Sequence, residues 1–332
     1  MTAILETSRA VQIRPFTPDD YSAVVAIHNL QYPDYTDTVE QWRFRDERRD
    51  EKVKWSRFVA TDDQNQIVGM ATYNQSVDMY HPRKFSVDVF VHPEFVGQGI
   101  GKALYEKLLE ALIPFDPILV RANAREDYTR SVRFLTDRGF TEEMREWESR
   151  LNPQAWDPAA WQDVRKKVLA QGIVVKSVAE LQETDPEWRQ KLFEMDWSVT
   201  LDMPAPDTLT KPTFEHFVKH VLENPDFLPE AWYIALDGEN YVGESALWRS
   251  STDNSLYVGA TGVLREYRRR GIATALKIYA LEYARAAGCP LMKTWNAQIN
   301  RAMLSINEAL GFEKQPAWIS YVKVLRPEEN AE

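Results

Sequence analysis

The sequence predicts an α/β fold used twice: two tandem domains, each a mixed β-sheet flanked by helices. Three observations point there. The chain has 332 residues, more than one ordinary core accommodates. Residues 91–140 and 263–312 run in register over 50 positions without a gap, at a constant offset of 172. Val91 falls on Val263, Gly99 on Gly271, Ile100 on Ile272, Leu104 on Leu276, Gly139 on Gly311 and Phe140 on Phe312. Strand-like and helix-like periodicities also follow one another in the same order in both halves.

Each half opens with a short strand. VQIRP (11–15) leads into Thr17-Pro-Asp-Asp20, where Thr17 suits the N-cap of a helix running to about Asn29. IVVKS (173–177) leads into a helix from about Asp185 to Val199. A hairpin follows: RFVATDDQNQIVGMATY (57–73) and WYIALDGENYVGESALW (232–248) both place β-rich runs around a polar turn, the second run entered near Val-Gly. A fourth strand, roughly Ser255–Val263 in the second half, runs into a glycine-bearing turn. Ile272, Leu276, Tyr279 and Tyr283, at spacings of 4, 3 and 4, then mark a helix. A strand, a helix ending in Gly-Phe and a last strand complete the order β-α-α-β-β-β-α-β-α-β. LNPQAWDPAAWQDVRKKVLA (151–170), with two prolines and a short amphipathic run, matches neither half and is expected to connect them. The expected domains are 10–150 and 171–328.

Composition narrows the function classes. Hydrophobic residues make up 44% and charged residues 27%, an ordinary soluble balance. No run approaches the roughly 18 apolar residues of a membrane span, and MTAILETSRAVQIRP reads as no secretory signal; a cytoplasmic protein is expected. Cys289 is the only cysteine, which excludes an internal disulfide and a cysteine-type metal site. The net charge of −10 argues against nonspecific nucleic-acid binding and is compatible with a cationic amine as substrate. His216 and His220 stand four apart on an expected helix, but no third ligand or Glu-x-x pattern accompanies them, so no metal is predicted.

The turn carries the chemistry. In the second half it is Arg268-Arg269-Arg270-Gly271-Ile272-Ala273, placed where a strand passes into a helix. The first amides of a helix lack intrahelical partners and sit at the positive end of its dipole, which suits a pyrophosphate. Gly271 and the small Ala273 leave room for phosphate to approach the backbone. Gly97-x-Gly99-x-Gly101 superficially resembles a dinucleotide fingerprint. However, it follows a fourth strand rather than a first, and its third glycine comes one position early.

Arg268-x-x-Gly271-x-Ala273 after a Val-ended strand resembles the coenzyme A signature of the GNAT-type N-acetyltransferases. Asn300-x-x-Met303-x-x-x-Asn307-x-x-x-Gly311-Phe312 resembles the family's second signature, and the tandem layout is similar to that of the mycothiol synthases. The resemblance spans about 140–155 residues of each half. It implies two GNAT-like domains, acetyl-CoA as cofactor, and direct transfer of acetyl to a small-molecule or peptide amine. It also implies cofactor contacts at Thr261-Gly262-Val263, the turn Arg268 to Ala273, and Asn300, with a backbone N–H near Val263 facing the developing oxyanion.

The first copy keeps Gly97, Gln98, Gly99, Ile100 and Gly101 after Val91. It has Val96 in place of Arg268 and Tyr128 in place of Asn300, so its cofactor affinity is expected to be lower. A second active site, an inactive binding domain and a packing scaffold remain open for it, and the C-terminal copy is the expected enzyme. A base is needed to deprotonate an alkylamine; Glu244 is the candidate, with a surface carboxylate as its alternative. Asp88 is the corresponding thought in the first copy, although its counterpart is Ala260. The family's tyrosine acid position holds Asn307 here and Leu135 in the first copy, and an amide donates a hydrogen bond but no proton. A non-catalytic acyl-CoA sensor is therefore the rival reading. Trp197, Trp248 and Trp295 are expected in the core.

Overall fold

The computed structural model describes residues 11–327. The domain limits expected at residues 10 and 328, and the first ten residues of the stretch read for a signal, lie outside the described residues. The chain forms two compact units. One comprises 11–143 together with 319–327, and the other comprises 144–318.

In the first unit, β1 (Gln12–Pro15), α1 (Tyr21–Gln31), α2 (Val39–Glu47), β2 (Trp55–Thr61), β3 (Ile67–Asn74), β4 (Lys84–Val91), α3 (Ile100–Leu112), β5 (Leu119–Arg125) and α4 (Thr129–Thr136) follow in the expected order. Thr17 and Asp20 form a reciprocal capping box at the turn that feeds α1. β1 to β4 pair antiparallel, and β4 pairs β5 in parallel. Alternation along the strands divides the core in two. Phe58, Ala60, Ala71 and Val87 pack with Ile100, Leu104 and Leu108 of α3 on one face. Val59, Met70 and Phe90 pack under Val24 and Val25 of α1 and Trp42 of α2 on the other.

The second unit repeats this plan. Its elements are α5 (Gln162–Leu169), β7 (Ile173–Ser177), α6 (Val178–Thr184), α7 (Trp188–Thr200), α8 (Phe214–Phe217), β8 (Phe227–Asp237), β9 (Asn240–Arg249), β10 (Leu256–Val263), α9 (Ile272–Ala286), β11 (Met292–Ala297), α10 (Arg301–Leu310) and the two-residue β12 (Glu313–Lys314). Ser177 and Glu180 form a second capping box, which starts α6 before the helix expected from Asp185. Among the described residues no helix is long and apolar enough to cross a membrane.

The repeat holds at the level of single backbone angles. Gly99 has φ 85° and ψ −10°, and Gly271 has φ 82° and ψ 1°. Tyr128 has φ −82° and ψ 65°, and Asn300 has φ −79° and ψ 63°. The Val-Gly of each hairpin has one explanation in both units. A Cβ on Gly69 would lie 2.9 Å from the Phe90 carbonyl oxygen and 3.0 Å from Leu104 Cδ1, and one on Gly243 would lie 3.0 Å from the Gly262 oxygen and 3.3 Å from Leu276 Cδ1. The helix after the turn thus rests against bare backbone.

Two features depart from the sequence reading. Residues 151–170 belong to the second unit, because Trp156 and Val168 are buried against its core and Val164 packs beside them. The closing strands also differ. β6 (Thr141–Leu151) gives its residues 146–151 to antiparallel pairing with β11 in the second unit. The first unit instead takes β13 (Trp318–Val324) from the far end of the chain, with Ile319 and Tyr321 buried in its α3-side core. Both strands follow a Gly-Phe helix end and can present alternate residues to a core, so local pattern does not choose between them.

Candidate functional site

In the first unit β4 and β5 pair only at Lys84–Leu119, Phe85–Val120 and Ser86–Arg121. Beyond Ser86 their paired register ends, and there a cavity of about 810 Å³ opens. One end is the turn after β4. Gly97 and Gly99 have φ of 92° and 85°, values that L side chains rarely adopt, and a Cβ on either would meet nothing within 4 Å. The space in front of the turn is open. Ile100 is buried in the core, so it offers the cavity only its backbone. Lys102, Arg130, Arg133 and Arg138 line the same cavity.

The other end of the cavity is aromatic and acidic. Asp88 and Phe90 share the α1 face of β4, and Tyr32 and Tyr128 close over them. The Tyr32 and Tyr128 rings stack with centroids 5.8 Å apart and planes 14° apart, and Tyr32 meets Phe90 edge-on at 5.7 Å. Burial pushes Asp88 up to about 6 from an ordinary carboxylate value, and among the described residues its carboxylate makes no hydrogen bond or ion pair. Burial, with Asp88 and Tyr128 beside it, holds the Tyr32 phenol well above its usual range. Arg125 lies over the Tyr128 ring at 4.4 Å, but its charge is taken up by Asp127 at 2.7 Å and Asp34 at 3.6 Å.

The second unit keeps the same turn with different side chains around it. Arg269 takes the position of Gly97 and, at φ 62°, is left-handed without being glycine. Arg268 donates from Nε to the Val263 carbonyl at 3.0 Å and pairs with Asp202, which also binds Arg265 at 2.9 Å. Arg270 donates to Gln171 at 2.9 Å. Asn300 caps α10, its Oδ1 accepting from the Met303 amide at 3.3 Å. Thr261 bonds Ser245 at 2.9 Å, and Ile272, like Ile100, points into the core. Ala273 is half-buried beside that core.

The matching face of the second unit is narrowed by Val199. At the positions matching Asp88 and Phe90 stand Ala260 and Gly262, and Val199 of α7 sits so close that a Cβ on Gly262 would lie 2.5 Å from it. The register of β10 on β9 shifts between Val258 and Thr261, a bulge that β4 lacks. Glu244 has no exposed surface; it accepts a hydrogen bond from Trp232 at 3.0 Å, and burial next to Asp196 raises its affinity for a proton well above the ordinary value. A carboxyl so enclosed is a poor base for an amine arriving from solvent. Asn307 is buried too, donating to Asn296 at 2.6 Å. Lys277, at the position of the cavity-lining Tyr105, is buried near the Phe312 ring, and burial lowers it to about 7.

His216 and His220 stack at 4.0 Å, and among the described residues no group of three His, Cys, Asp or Glu side chains converges as a metal site would require. Trp197, Trp248 and Trp295 are all half-buried, Trp248 packing beside the α7-side core. The aromatic walls Tyr32 and Phe90 carried no sequence signal, because α1 reaches β4 only in space. Tyr128 was legible, as the departure from Asn300.

The geometry defines an acyl-transferase-like α/β unit, present twice. The model of the acetyltransferase (GNAT) family matches residues 22–140 and again 191–312, so the chain belongs to that family, in tandem form. Solved structures share the whole layout. A GCN5-related N-acetyltransferase from Sphaerobacter thermophilus is 18% identical with TM-score 0.67, covering 97% of this chain and 98% of its own. A tandem GNAT protein from the clavulanic acid biosynthesis pathway is 17% identical with TM-score 0.71, covering 96% and 100%. At these identities the likeness is one of fold. No curated protein matches the chain.

Proposed function

We propose that the chain is an N-acetyltransferase using acetyl-CoA, with cofactor and chemistry in the first unit. The observation that carries this reading is one cavity joining the glycine turn at 96–101 to Asp88. The residues present fit a coenzyme A pyrophosphate: the amides at the start of α3 are free of intrahelical partners, and the space in front of Gly97 and Gly99 is open. Lys102, Arg130, Arg133 and Arg138 supply the positive charge that Val96 does not. When bound there, acetyl-CoA supplies an activated acetyl thioester. Asp88 holds the acceptor ammonium at the far end of the cavity and takes the proton that must leave before its nitrogen can attack, a role suited to a base poised near neutrality; the second proton of the nitrogen departs with the coenzyme A thiol. Tyr32, Phe90 and Tyr128 wall the acceptor from water.

The site expected at Thr261 to Ala273, with Asn300, is on this reading a backbone cradle whose side chains mostly serve the fold. Its intact turn, and Ala260 and Gly262 in place of Asp88 and Phe90, favour a cofactor-binding unit without turnover. A paired assay decides between the units. Gly99→Val, checked for folding by circular dichroism, is expected to abolish thiol release from acetyl-CoA, and Gly271→Val to retain it. The reverse result returns the chemistry to the second unit. Loss of neither activity removes both turns from the mechanism.

A further inference from the structure

Resting on that reading, we infer that the first unit's acceptor is an arylalkylamine or alkylamine bound as its ammonium ion, with no carboxylate on the carbon bearing nitrogen. Three acids line the cavity; Asp127 pairs with Arg125 and Asp137 with Arg133, which leaves Asp88 as the uncompensated one, beside the aromatic walls Tyr32, Phe90 and Tyr128. A half-buried carboxylate with no partner among the described residues is costly to keep charged, and a cationic ligand removes that cost. Aromatic faces reinforce the choice, since ring quadrupoles attract ammonium ions and planar walls suit an aryl or alkyl body.

Most of the lining cations are already engaged. Lys102, in the first turn of α3, faces Glu106 at 3.8 Å, Arg133 of α4 pairs with Asp137 at 3.3 Å, and Arg138 lies over the Phe134 ring at 3.5 Å; Arg130 opens α4, two residues after Tyr128. Arg125, the cation beside Tyr128, is held by Asp127 and approached by Asp34. A substrate carboxylate entering beside Asp88 would face like charge. The second unit carries no acid or aromatic ring at the matching positions, where Ala260 and Gly262 replace Asp88 and Phe90 and Val199 approaches Gly262.

The test uses the full chain and three probes: 2-phenylethylamine, phenylalanine and 2-phenylethanol. In calorimetry at pH 8 without cofactor, 2-phenylethylamine is expected to bind. Asp88→Asn should weaken it at least tenfold and Tyr128→Ala severalfold, each variant being checked for native circular dichroism. Neither of the other probes should bind measurably. In thiol release, 2-phenylethylamine should exceed phenylalanine at least tenfold in kcat/KM. Equal use of phenylalanine, or amine binding indifferent to Asp88→Asn, overturns the inference even if acetyl transfer stands. Asp88-dependent amine binding without any thiol release leaves the inference standing and overturns the transferase reading.

Discussion

Asp88 couples stability to activity at one residue. Its folded value is raised to about 6, so the folded chain holds this proton more tightly than the unfolded chain. The stabilising contribution is complete below the ordinary value near 3.8 and is lost as pH rises through about 6. At pH 8 the ionised carboxylate therefore works against the fold, by about 1–3 kcal/mol after allowing for water in the cavity. Asp88→Asn is expected to raise the melting temperature at pH 8 by a few degrees and to leave it unchanged at pH 4, read by thermal denaturation. The same substitution should lower acetylation about 100-fold and remove the acid limb near pH 6 from the kcat/KM profile. An Asn variant that is no more stable at pH 8 would mean that Asp88 is solvated rather than enclosed. The face that Asp88 points to was not legible, because strand alternation gives a side but not what covers it.

At the scale of elements, the turn and its helix were read almost whole. Position 99 or 271 needs a left-handed residue to cap the helix, and glycine announces it in both copies. Position 97 or 269 needs the same conformation, but glycine marks it only in the first copy; Arg269 adopts it at a strain of about 1 kcal/mol. The Arg268 signature was legible as a motif, but not that Asp202, just beyond α7, engages its guanidinium. Caps were legible in part. Thr17 was read, while Ser177 was taken as the end of a strand and not as the start of α6. Its Oγ accepts from the Glu180 amide at 3.2 Å and Glu180 accepts from the Ser177 amide at 2.7 Å. Ser177→Ala is expected to cost about 1 kcal/mol, measured by urea unfolding. A loss below a few tenths would leave α6 held by its packing alone.

At the scale of the whole molecule, each unit depends on chain from the other half. Ile319 and Tyr321 of β13 are buried in the core under α3, and Leu325 and Arg326 both donate backbone hydrogen bonds to the Ile118 carbonyl, at 2.8 and 3.1 Å. Truncation after Ala317 removes an edge-covering strand and two buried side chains from the first unit. Burial of side chains of this size is worth about 1.5–3 kcal/mol each, so that unit should lose cooperative unfolding while the second keeps it. Differential scanning calorimetry of the truncated chain, expected to show one transition lost, checks this. A first unit that melts unchanged without β13 would make the closing strand dispensable.

The sequence by itself determined the repeat, the order of elements and the turn geometry, since these follow from periodicity, capping and the few residues able to take positive φ. What only the tertiary structure decided is which face and which strand. Val199 crowds Gly262 on one such face, while Tyr32, Phe90 and Tyr128 leave the other open around Asp88. β13 rather than β6 closes the first unit. These outcomes rest on packing between segments far apart in the chain, where volume and burial choose among partners that local pattern leaves equivalent.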